Sequence, residues 1–173
     1  MKNRKFVSIP IIFFIFAIIA GCSSTAEKQV EAERLFPERH GWDLKQISIS
    51  DASTTLDFRR INCVWVLGDE NTPSDEPRVT DLAEKLVSLA PQELPAIKPE
   101  RFQDFKVEKN SFSRKIVLTF KDSSSYIMLI GTPALTKTAY IRLADNNQVY
   151  GSDEPLLRQI NLDSDSWLAT KDR

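Results

Sequence analysis

The stretch Ser74–Pro91, SDEPRVTDLAEKLVSLAP, decides how the rest of the chain is read. Val79, Leu82, Ala83, Leu86, Val87 and Ala90 recur at three- and four-residue steps, which places them on one stripe of a helix. Asp75 stands where its side chain can accept a hydrogen bond from a free first-turn amide, so it reads as the N-cap. Glu76 complements the positive end of the helix dipole, Pro77 falls in the first turn where no intrahelical donor is lost, and Pro91 stops the pattern. A stripe this apolar needs a sheet to lie on. The same tetrapeptide returns at Ser152–Pro155, in SDEPLLRQI, with Asp153 as N-cap and Leu156, Leu157 and Ile160 turned inward. Both copies therefore read as helix punctuation rather than as a duplicated acidic site.

Strand patterns precede each copy. Ile47 and Ile49 alternate with polar residues, Asp51–Ser53 reads as a turn, and Thr54–Phe58 alternates again. Ile61–Leu67 is a third strand, with Ile61, Cys63, Trp65 and Leu67 on one side. In the second half Arg114–Phe120, Tyr126–Ile130, Ala139–Leu143 and Gln148–Tyr150 read as strands, joined by turns at Lys121–Ser125 and Asp145–Asn147. The connection Pro91–Val107 holds three prolines and cannot carry a long helix; only PERFQDF (99–105) is expected to turn. The expected fold is α+β: antiparallel sheet built from two similar strand-strand-strand-helix halves, about residues 43–91 and 106–173, with helices packed on one face.

Outward from that domain the N-terminus carries the strongest address. Lys2, Arg4 and Lys5 precede the apolar run FVSIPIIFFIFAII (6–19), which ends in Ala20-Gly21-Cys22. The run is shorter than the roughly 20 apolar residues of a membrane-spanning helix and contains Pro10, so it reads as a secretory signal covering residues 1–21. Ile19-Ala20-Gly21-Cys22 resembles the lipobox of bacterial lipoproteins. That resemblance implies diacylglycerol on the Cys22 thiol, cleavage before it and acylation of the freed amine; two or three chains hold a protein stably to a bilayer. Ser23, where inner-membrane retention would be marked by aspartate, points to the periplasmic face of the outer membrane. Residues 22–42 are expected to form the lipid anchor and a flexible tether, and residues 43–173 a single domain.

Charge and cysteine usage narrow the function. Three of the 23 basic residues fall in the signal, leaving 20 against 24 acidic side chains and a formal charge of −4. A surface of that sign is expected to bind neither nucleic acid nor anionic lipid. Beyond Cys22 the chain holds one cysteine, Cys63, so no intramolecular disulfide can form and the fold rests on its core. Cys63 lies in the apolar stretch INCVWVL and is expected to be a small core residue.

Catalytic constellations are sparse. His40 is the single histidine, so neither a Ser-His-Asp triad nor a histidine metal cluster can be assembled within the chain. No phosphate-binding glycine loop, dinucleotide fingerprint, zinc-protease motif or nucleophile elbow occurs. Ser123–Ser125 reads as a solvated turn. A pair among the 24 acidic residues could meet in space, but that many carboxylates give no sign of which. No cofactor or metal is expected, and the chain reads as a non-enzyme. Trp42, Trp65 and Trp167 are the aromatic candidates for an interface, of which the alternation assigns Trp65 to the core. Tyr140 and Arg142 alternate with Ile141 and Leu143, so one pair faces the core and the other outward.

Several blocks together resemble a known family: Ile47–Ser50, Trp65–Leu67, the helix from Asp75 to Leu89, PERFQDF, AYIRLADNNQVY (139–150) and DSDSWLATKD (163–172). The chain from about Leu44 to Lys171 is similar to an uncharacterised bacterial envelope family, a domain of unknown function common in lipoproteins and in proteins encoded near ABC-type export permeases of the gliding-motility auxiliary type. It departs from the family's pattern at Phe105-Lys106-Val107, where a glycine is usual, and at Ala169-Thr170-Lys171, where the final basic pair is weakened. The chain is expected to be a lipid-anchored, non-catalytic accessory or binding module of an envelope complex, with Trp167, Tyr140 and Arg142 as candidate interaction residues from their residue types and alternation; the resemblance implies an ABC-type permease or motility assembly as partner. A periplasmic small-molecule or glycan-binding lipoprotein and a carboxylate-based cell-wall hydrolase stand as alternatives. The first would show a pocket between the halves, the second two inward carboxylates.

Overall fold

The computed structural model describes residues 33–134 and 136–170. The expected signal segment, the lipobox-like residues Ile19, Ala20 and Gly21, and Cys22, the expected lipidation site, lie outside the described residues.

Strand β1 (Leu44–Ser50) turns through Asp51, whose carboxylate accepts from the amides of Ser53 at 2.8 Å and Thr54 at 2.9 Å, into β2 (Thr55–Ile61). Those amide bonds, chiefly that of Ser53, hold the Asp51 carboxyl below the usual carboxylate range. Next come β3 (Val64–Leu67), β4 (Thr72–Pro73) and helix α1 (Glu76–Val87). The connection carries β5 (Gln92–Glu93), a 3-10 turn at Pro99–Arg101 and the hairpin β6 (Val107–Glu108) and β7 (Ser111–Phe112). The second half runs β8 (Arg114–Phe120), β9 (Ser125–Gly131), β10 (Ala139–Leu143), β11 (Val149–Ser152), α2 (Pro155–Gln159) and a 3-10 turn at Ser164–Trp167.

Nine strands form one sheet in the order β4-β3-β2-β1-β8-β9-β10-β11-β5, and every pairing is antiparallel. The two halves are four-strand meanders joined at their first strands, where Ile47 stands opposite Leu118 and Ile49 opposite Ile116. Beyond its helix, each half sends the chain across to the edge of the other. After α1, Gln92 and Glu93 pair with Gly151 and Tyr150 of β11. After α2, Leu168 bridges Ser74 beside β4, Trp167 accepts from the Asp75 amide at 2.8 Å, and the Ala169 amide donates to Pro73.

The main core lies on one face of this sheet. Val79, Leu82, Ala83, Leu86 and Val87 of α1 are buried against Ile47, Ile49, Phe58, Trp65, Ile116 and Leu118. On the opposite face a second cluster of Phe102, Val107, Leu129 and Val149, joined by Leu94, Ile97, Phe105, Phe112 and Tyr140, covers β9 to β11. The connection thus folds over the back of the second half. Gly131 permits this: a Cβ there would stand 1.8 Å from the Phe105 carbonyl oxygen. Lys106 takes a left-handed φ of 54°, in the stretch where the family resemblance leads one to expect glycine.

Four sequence expectations are corrected. The α+β assignment fails because the sheet recruits β4 and β5, and because α2 spans only five residues, too short to cover a sheet; among the described residues the fold is mostly antiparallel β with two α-helices. Ile61–Leu67 is not one strand. Asn62 and Cys63, with φ of 50° and 68°, form a two-residue hairpin turn of the kind whose twist matches the flanking strands. Cys63 is consequently exposed rather than buried in the core. The part of the expected tether that is described is docked: Phe36 is buried beside Phe120 and Tyr126, the Leu35 amide donates to Leu89, and Arg34 donates to the Val87 carbonyl near the end of α1.

Candidate interaction surface

The two SDEP copies differ in chemistry. Asp75 caps α1, accepting from the Arg78 amide at 3.2 Å, while Glu76 accepts from the Trp65 amide at 2.6 Å. Ser74 is buried, and its hydroxyl donates to the Trp65 carbonyl at 2.7 Å. In the second copy the cap is Glu154, which accepts from the Leu156 amide at 3.3 Å. Asp153, expected to cap, accepts instead from the Thr138 hydroxyl at 2.8 Å, which ties the turn to the segment entering β10.

The three residues that the sequence suggests as an interaction set are not presented to solvent together. Trp167 is 4% exposed. It packs edge-on against Phe58 with centroids 5.2 Å apart, donates from Nε1 to the Asn161 carbonyl at 2.9 Å, and has the Arg78 guanidinium 4.1 Å above its ring. Arg78 also donates to the Ser166 carbonyl. Trp167 is therefore the pin of the C-terminal clasp. Tyr140 and Arg142 do point away from the main core, but the connection lies over them. Tyr140 is half-buried against Phe105, with centroids 4.9 Å apart. Arg142 is buried, donates to the carbonyls of Val107 at 2.8 Å and Asn146 at 2.9 Å, and lies 4.5 Å from the Phe102 ring centroid. Burial lowers its pKa, partly offset by Glu108. An outward reading of alternation fails wherever a loop covers the second face of a sheet.

Grooves of about 330 and 360 Å³ adjoin between the end of α1 and the second SDEP copy, sharing Ala90, Ser152 and Asp153. Their charged groups are already engaged: Lys85 pairs with Asp81 at 2.7 Å, Asp153 holds Thr138 and Glu154 caps α2. Among the described residues no group of three or more His, Cys, Asp or Glu side chains could hold a metal ion, and no helix is long and apolar enough to cross a membrane.

The strongest titration shift belongs to a fastening. The Asp122 carboxyl is pulled down to about 2, first by the Ser124 hydroxyl and then by Arg39, which it meets at 2.7 Å. Arg39 lies over the Phe120 ring at 4.7 Å from its centroid, so the pair holds the N-terminal segment to the β8–β9 turn.

Two surfaces are left open. Over β1, β2 and β8 the back of the sheet presents Gln46, Ser48, Asp57, Arg59, Lys115, Val117 and Thr119, all half-exposed, with exposed Ile127 beside Val117. At the end of the sheet where β1 begins, Trp42, Ile61 and Val64 are exposed around the Asn62-Cys63 turn. Of these the sequence singles out Trp42. Alternation places Ile61 and Cys63 inward, because the hairpin turn between them and Val64 leaves no mark on the pattern.

A family model described as Domain of unknown function (DUF4340) matches residues 65–171. The chain belongs to the DUF4340 family. The match opens at Trp65 in β3, so β1, β2 and the exposed turn at Asn62-Cys63 precede it, although β1 and β2 complete the same sheet. No curated protein and no solved structure matches the chain.

Proposed function

We propose that this DUF4340 chain is a lipid-anchored, non-catalytic binding module of a bacterial envelope complex. It is fixed through Cys22, facing the periplasm at the outer membrane, with an ABC-type export assembly as the partner class. The observation that carries the reading is the uneven covering of the sheet. The connection buries Leu129 and Val149 on the back of β9 and β11 under Phe102 and Val107, while toward β1, β2 and β8 the same face keeps Val117 and Ile127 open among Asp57, Arg59 and Lys115. A sheet face with an apolar centre and charged rim has the make-up of a protein interface. The lipobox-like Ile19–Cys22 supports the anchor, and the family resemblance supports the partner class. The engaged charged groups of the groove between the halves give the ligand-binding alternative less support.

Photo-crosslinking in cells, with the reactive residue at Val117 or Ile127, tests this. Capture of one envelope protein from these positions, and not from Val149, buried beneath the connection, is expected. Equal capture from all three, or none, overturns the surface assignment. Labelled palmitate is expected in the wild type and absent from Cys22→Ala; equal labelling would overturn the anchor.

A further inference from the structure

The β2–β3 turn is a second, chemically different surface. Among the described residues the exposed large hydrophobics are Trp42, Ile61, Val64 and Ile127, and three of the four gather here. Trp42 is 55% exposed, with one side of its ring stacked on His40 at 4.0 Å. Ile61 stands directly opposite Val64 across the turn. Behind this apolar tip a groove of about 300 Å³ is lined by Trp42, Leu44, Lys45, Arg60, Cys63 and Lys121. Arg60 donates to the Trp42 carbonyl and lies over the Trp65 ring. The ion pairs among the described residues involve none of Lys45, Arg60 and Lys121, in a chain with more acidic than basic side chains.

We propose that this tip docks the domain on the bilayer that holds its acyl chains, Trp42, Ile61 and Val64 entering the interfacial layer and Lys45, Arg60 and Lys121 meeting anionic phospholipid headgroups. The inference rests on the Cys22 anchor. Tryptophan favours the headgroup layer because its ring is apolar and its N–H polar, and basic side chains are attracted to anionic lipid. The net negative charge argues against lipid attraction by the whole surface. Screening over about 10 Å lets a local cluster act on its own. The chain from Cys22 to Glu33 spans at most roughly 40 Å, so an anchored domain stays within reach of the membrane. Charge complementarity selects the occupant: the apolar tip is backed by unpaired cations of one sign. The sheet face assigned to a protein partner has mixed charge instead.

The test uses the full lipidated protein in vesicles of phosphatidylethanolamine and phosphatidylglycerol carrying brominated acyl chains. Trp65 and Trp167 are 0% and 4% exposed, so quenching reports Trp42. Wild type is expected to be quenched and Trp42→Phe not. Lys45→Glu with Lys121→Glu is expected to weaken docking at least about 25-fold, from about 5-fold for each of the two basic residues lost at an anionic surface. Wild-type quenching no greater than that of Trp42→Phe overturns the proposal, as does equal quenching of the charge-reversed variant. Shielding of Trp42 only after envelope protein is added also overturns it, in favour of a protein occupant. Palmitate incorporation read on the same samples separates the two claims. Labelled protein with unquenched Trp42 removes the docking alone; unlabelled protein still quenched by added vesicles removes the anchor alone.

Discussion

The two halves share one plan, a meander of four strands and then SDEP and a helix, yet they are finished differently. The first half has a helix of 12 residues and an apolar clasp from the C-terminus; the second has a helix of five, and the back of its last three strands is roofed by the connection. The back of β1, β2 and β8, where the halves join, stays bare. Identical tetrapeptides therefore carry different contacts, because Ser74–Pro77 lies between β3 and the clasp whereas Ser152–Pro155 leans on Thr138. A local motif sets where a helix opens; the elements packed around it set which side chain caps it.

The clasp gives the largest effect. Trp167→Ala is expected to cost about 3–5 kcal/mol, since it removes a buried aromatic from Phe58 and leaves Arg78 without its ring. The urea midpoint is the measurement. A loss under about 1 kcal/mol would mean that the C-terminal segment decorates the first half rather than fastening it.

The caps give the middle effect and test the asymmetry directly. Asp75→Ala is expected to cost about 1 kcal/mol, the usual worth of an N-cap. Asp153→Ala removes an exposed hydrogen bond to Thr138 and is expected to cost less, about 0.5 kcal/mol. Equal losses in thermal or urea unfolding would restore the symmetric reading of the two copies.

Much of this is legible in the residues. The strands Arg114–Phe120 and Ala139–Leu143 can be read with their observed bounds and α1 with its observed start after Asp75, because each has a clean period and a turn or cap at its end, whereas α1 closes at Val87, short of the Pro91 stop. The turn at Asn62-Cys63 escapes because the usual signal for two left-handed residues is asparagine followed by glycine; here cysteine takes the second place inside an apolar run. The roof over Tyr140 and Arg142 escapes too. Leu94, Ile97, Phe102, Phe105 and Val107 have no regular period, and the prolines around them read as a connection. Their density in a supposedly solvated link is the available signal. Long-range covering of a sheet face has no periodic signature, and for that reason the residues alone leave Tyr140 and Arg142 reading as open where the connection covers them.

The smallest effect is the acid response of the Arg39–Asp122 fastening, an exposed ionic tie that contrasts with the buried clasp on the other half. The carboxyl titrates at about 2 in the folded chain against an ordinary 3.8, so the folded state holds the ionised form more strongly than the unfolded chain does. A depressed carboxylate stabilises above its unfolded value and loses that contribution as the pH falls through the folded one. Wild type should therefore exceed Asp122→Asn in urea midpoint at pH 5, with the gap closing between about pH 4 and pH 2. The pair is open to solvent, so added salt should also narrow the gap at pH 5. A gap that persists unchanged at pH 2 would show that the carboxylate charge is not what fastens the segment. The burial of Phe36 would then hold it alone, and both halves would be closed by apolar contacts of the same kind.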